Sequence, residues 1–121
     1  MLVITNNLLV KENLNADGIE VLYVNENYRY ILKKARDYVH NNYVLLTHPL
    51  SGSVKPNETP FKSIAVKKGG NLCLDSLDII EKAISTFDKF FEMKSTPNWN
   101  EKILDDFRVI DLDLIKNALI K

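Results

Sequence analysis

"IEVLYVNENYRYILKKARDYVHNNYVLL", residues 19–46, reads as strand, helix and strand in one run, and that reading decides the fold class. Within it Tyr28, Ile31, Leu32, Ala35, Tyr38 and Val39 recur three and four residues apart, with Arg29, Lys33, Lys34, Arg36 and Asp37 between them. Such spacing gathers the apolar side chains on one face of a helix. Asn25-Glu26-Asn27 starts the helix, because an asparagine side chain accepts bonds from the first free amides. Asn41-Asn42 ends it, since asparagine is the usual substitute for glycine in a left-handed helix end. On either side, residues 19–24 and 43–46 are β-branched, aromatic and aliphatic runs of strand length.

Upstream, Leu2-Val3-Ile4 is a further strand. Thr5-Asn6-Asn7 then offers cap side chains for a short helix over residues 8–14, and Asn15-Ala16-Asp17-Gly18 is a turn. Five elements in the order strand, helix, strand, helix, strand predict strands in parallel, joined by right-handed crossovers. The expected fold is α/β: a single domain over residues 1–121, small and three-layered, with a short, mostly parallel sheet of about four strands flanked by helices. Residues 62–66 supply the fourth strand. Lys68-Gly69-Gly70-Asn71 is a turn that suggests an antiparallel edge, with residues 72–74 pairing back. Asp75 is read as the cap of a helix carrying the stripe Leu77, Ile80, Ile84, Phe87 and Phe91. After a break at Ser95-Thr96-Pro97-Asn98, a short helix through Ile103, Leu104 and Phe107 is expected. A last helix then begins after Asp111.

Composition removes several function classes. The 121 residues are 45% hydrophobic and 26% charged, ordinary for a globular domain, and formal net charge is zero. No global field recruits nucleic acid or an acidic membrane. A small asymmetry, nine Lys/Arg against six Asp/Glu in residues 1–70 and seven against ten beyond, names no partner. The lone Cys73, between two leucines, excludes an internal disulfide and reads as a small buried hydrophobe. Two histidines with that one cysteine give no zinc pattern, and no cofactor fingerprint is present. The N-terminal residues lack a secretory pattern, and no apolar run approaches a membrane span, so a cytoplasmic chain is expected.

The candidate site is the connection over residues 47–61, which holds three of the four prolines. About fifteen residues is long for a loop in so small a domain, and such loops are commonly functional. In open parallel sheets, ligands bind outside the carboxyl ends of the strands. If strands one and three are neighbours, Asn6 and Asn7 meet Thr47 and His48 at one crevice. Ser51-Gly52-Ser53 adds two hydroxyls and a backbone able to cradle an anion, and Lys55 adds a charge. His48 is the acid–base candidate. The bland reading stands beside this one: prolines that stiffen a connection, hydroxyls that satisfy turn amides, and a histidine held by its own loop.

"LLTHPLSGSVKPNETPFKSI", with "ITNN" at the start and "DDF" and "DLDLI" near the end, resembles the small protein X (GrdX) family encoded with the glycine reductase genes of anaerobic clostridia. The resemblance covers essentially the whole chain. It implies an accessory or regulatory role beside a reductase that makes acetyl phosphate from glycine, sarcosine or betaine, and it carries no established active site. A lone cysteine cannot supply a dithiol couple, which argues against an electron carrier. Two functions stay open. One is a small-anion or amino-acid-derived ligand site in the loop, in a protein that is or is not an enzyme. The other is an interaction module whose loop docks on a glycine reductase subunit or closes a homodimer.

Overall fold

A computed structural model describes residues 1–51 and 55–119 of the chain. Eight elements follow in order: β1 (Leu2–Thr5), α1 (Leu8–Ala16), β2 (Glu20–Tyr23), α2 (Tyr28–His40), β3 (Tyr43–Leu45), β4 (Ser63–Lys68), α3 (Leu74–Met93) and α4 (Glu101–Leu119). The expected caps form. Asn7 accepts from Leu9 N–H and Asn27 from Tyr30 N–H. Asn42, at φ 71°, takes the left-handed turn between α2 and β3. No helix among the described residues is long and apolar enough to cross a membrane.

The sheet is mixed, in the order β2-β1-β4-β3. β1 runs parallel to β2, while β4 is antiparallel to both β1 and β3. This corrects the mostly parallel sheet and the adjacency of strands one and three. The chain leaving β3 loops back at the same edge, and β4 inserts between the two earlier strands. Because β1 and β3 each oppose β4, they still point the same way. Their carboxyl ends share one edge with the start of β4, where Thr5 pairs with Ser63.

Alternation along the central strands divides the core. Leu2, Ile4, Ile64 and Val66 join Ile31, Leu32, Ala35 and Val39 of α2 and Ile80, Ile84 and Phe87 of α3. Val3 and Ala65 point the other way, toward Val10 and Leu14 of α1 and Leu112 and Ile115 of α4. α3 packs chiefly on α2 rather than across the strands, which departs from a clean three-layer stack. Tyr28 stacks on Phe87 at 5.3 Å, and the forked Arg29–Asp88 pair, 2.8 Å at its closer bond, bridges the two helices.

Three local readings are corrected. Residues 72–74 form no strand, because Leu74 already begins α3. Its cap is the half-buried Cys73, whose sulfur accepts from Ser76 N–H at 3.4 Å, and not Asp75. The two short late helices are one, α4, and Asp111 lies buried inside it rather than preceding a new start.

Candidate functional site

The loop after β3 begins by extending the ladder. Leu46 N–H donates to Ala65 O at 2.8 Å, and Ala65 N–H donates to Thr47 Oγ1 at 3.0 Å. Tyr28 OH reaches back to Pro49 O at 3.2 Å, fixing the next turn. Further on, Asn57 Nδ2 donates to Lys94 O, and Trp99 Nε1 donates to Glu58 O at 2.7 Å. Pro49, Pro56, Asn57 and Thr59 are buried, so these parts of the loop are built into the protein.

Between this loop, β4 and α4 lies a pocket of about 160 Å³. Thr47, His48, Ser51, Lys62, Ser63 and Asp111 give it polar walls, with Leu50, Leu114 and Ile115 among its apolar ones. Ser63 and Asp111 of its lining end a hydrogen-bond chain with one consistent direction. Asn7 N–H donates to Thr5 Oγ1 at 3.0 Å, Thr5 and Ser63 hydroxyls meet at 2.7 Å, and Ser63 Oγ donates to Asp111 Oδ2 at 2.7 Å. Since the Ser63 proton goes to Asp111, Thr5 must donate to Ser63. Asn7 Nδ2 adds a second donor to the same carboxylate oxygen at 3.1 Å.

Two opposite charges are sequestered here. Lys62 is 6% exposed, and its Nζ donates to Ser51 Oγ at 2.8 Å. Asp111 is 5% exposed. Burial pulls the Lys62 amine below its ordinary range, opposed by the charge of Asp111. Burial pushes the Asp111 carboxyl up, opposed by the bonds from Ser63 and Asn7 and by the Lys62 charge. Desolvation outweighs mutual attraction in both.

The residues singled out in the sequence are placed unevenly. Thr47, His48 and Ser51 line the pocket. His48 is exposed, and its Nδ1 lies 3.0 Å from both the amide nitrogen and the carbonyl oxygen of Leu50, so the ring is held by its own loop. Asn6 and Asn7 do reach the shared strand edge, but as framework. Asn6 Nδ2 donates to Glu26 O and Pro60 O while its Oδ1 accepts from Lys62 N–H, tying three segments together. Asn7 Nδ2 also holds Arg108 O of α4. Lys55 is exposed and lies 4.0 Å from Glu58. Gly52 and Ser53 lie outside the described residues.

Sequence reasoning missed Lys62, Ser63 and Asp111. Lys62 stands immediately before an apolar strand, and a lysine at such a position was the available signal. Locally Asp111 reads only as the residue before a helix start, and only the tertiary fold reveals what it faces. Among the described residues, no group of three or more His, Cys, Asp or Glu is placed to hold a metal ion. The family model described as GrdX-like protein matches residues 2–120. No curated protein and no solved structure matches the chain.

Proposed function

Because the chain belongs to the GrdX-like protein family, we propose that it is an accessory or regulatory protein of the glycine reductase system that holds a small anion or amino-acid-derived carboxylate under its 47–61 loop. The observation that carries this reading is the supply of donors around the pocket. Thr47 Oγ1 accepts from Ala65 N–H, and Ser51 Oγ accepts from Lys62 Nζ, so each hydroxyl keeps its own proton for an occupant. The Lys62 ammonium, which carries three donors, has others beyond the one given to Ser51. Bonds from an ammonium to a carboxylate or phosphate are the strong kind, and stronger in a low-dielectric site. The volume is close to that of an engineered cavity of about 150 Å³ that accepts benzene, which suits a metabolite of a few heavy atoms and excludes a nucleotide. Lys62 therefore takes the role that the sequence suggested for Lys55.

Thermal unfolding with acetate, glycine, phosphate and acetyl phosphate tests the reading. A true ligand at about 100 times its Kd adds about 2.7 kcal/mol of stability. The rise in Tm should disappear in Lys62→Met and persist in Lys55→Met. No rise with any of the four ligands sinks the proposal. A docking role for the loop is less well supported, since Pro49, Pro56, Asn57 and Thr59 turn into the protein. Prolines presented to a partner would stand outward.

A further inference from the structure

We propose that the pocket holds its ligand covalently: a small carbonyl compound, an aldehyde or a 2-oxo acid, condenses with the Lys62 amine to form an imine. The inference rests on the reading of this pocket as a ligand site and adds the chemistry by which the site captures its occupant.

Three observations carry it. First, the Lys62 side chain is buried and lines a pocket of about 160 Å³, with its Nζ held by Ser51 Oγ at 2.8 Å. A lysine almost never sits this way unless it is paired. Second, the pocket brings a carboxyl, Asp111, to the same space as the amine. Third, the two groups shift in the directions opposite to those of a structural ion pair. Such a pair would raise the lysine and lower the aspartate. Here burial lowers the one and raises the other. Both shifts ease proton loss from the amine and proton uptake by the carboxyl that shares its pocket, the direction a nucleophilic lysine needs.

The step balances without an oxidant or reductant. The nitrogen lone pair forms a C–N bond to the carbonyl carbon, and the carbonyl π pair moves to oxygen. That oxygen takes a proton from the Asp111 carboxyl, and the nitrogen returns one to the carboxylate, giving a carbinolamine. Loss of the hydroxyl with the remaining nitrogen proton leaves the C=N bond and one water. Hydrolysis runs the same steps backwards and releases the carbonyl compound, so capture is reversible.

The test uses the full chain with glyoxylate, the smallest 2-oxo acid, and cyanoborohydride, which reduces an imine to a stable carboxymethyl-lysine. Peptide mapping then locates the label. At limiting glyoxylate the label should collect on Lys62 ahead of the exposed Lys55 and Lys82, and acetate should compete it away. Label on exposed lysines with Lys62 unmodified overturns the proposal. Lys62→Arg forms no imine, so it should lose the label at this site while the exposed Lys55 and Lys82 still take it at higher glyoxylate. A Tm rise with acetate and no Lys62 label refutes the imine while leaving the ligand site standing. Absence of both refutes the two together.

Discussion

Asp111 concentrates the energetic stakes of the molecule in one side chain. Its Oδ2 receives Ser63 Oγ–H and Asn7 Nδ2–H, both from the carboxyl edge of the sheet. Asp111→Ala would leave both donors buried without an acceptor, at about 1–3 kcal/mol each. Urea unfolding should therefore show a loss of about 2–6 kcal/mol on that basis. Asp111→Asn keeps the outline and removes the charge, and its effect depends on pH. Burial raises the folded carboxyl above its ordinary 3.8, so the folded chain holds this proton more tightly than the unfolded chain. That contribution is fully present below 3.8 and is lost as pH rises through the elevated folded value. The asparagine has no proton to lose. The stability difference, variant minus wild type, should move in favour of Asp111→Asn as pH rises from about 4. Urea curves at stepped pH read this directly, and a difference that stays flat would show that the carboxyl is not strained by burial.

At the level of elements, local signals were legible and long-range insertion was not. The helix α2 followed from its spacing, and Asn7, Asn27 and Asn42 from the chemistry of caps. All of these depend on neighbours within four residues. The placement of β4 between β1 and β3 depends instead on a return of the chain that no local pattern encodes. Asp111 misled for the same reason: locally it reads as the residue before a helix start, while its partners Ser63 and Asn7 are 48 and 104 residues away. The candidate site divides likewise. Its loop wall stood out by composition, whereas Lys62 and Asp111 became neighbours only through the fold. The turn after β4 offers a direct check on the element boundaries. Gly69 N–H donates to Asn42 O at 2.8 Å, and a Cβ at Gly69 would come within 2.9 Å of that same oxygen and 3.1 Å of Val44 Cγ2. Gly69→Ala must push apart the ends of β3 and β4, and should cost about 1–3 kcal/mol. Gly70→Ala, with open space around its position, should leave the urea midpoint nearly unchanged.

For the whole molecule, α4 decides whether there is one cooperative unit with a pocket or a sheet with a bare face. Leu112 and Ile115 cover Val3, Val10, Leu14 and Ala65, and the same helix carries Asp111 into the lining of the pocket. Burying two such side chains is worth about 1.5–3 kcal/mol each, set against a total stability of about 5–15 kcal/mol for a domain. The residues they cover lose their burial as well when the helix is gone, and the Ser63 and Asn7 donors lose their acceptor. A chain ending at Asn100 should therefore fail to unfold cooperatively, with weak near-ultraviolet dichroism and exposed apolar surface that binds a hydrophobic dye. The double substitution Leu112→Ala and Ile115→Ala should move the full-length chain the same way, since large-to-small changes at buried positions cost about 2–5 kcal/mol each. If the shortened chain instead unfolds in one sharp transition, α4 is an appendage. The sheet would then tolerate an open face, and the burial of Asp111 would not be coupled to the stability of the core.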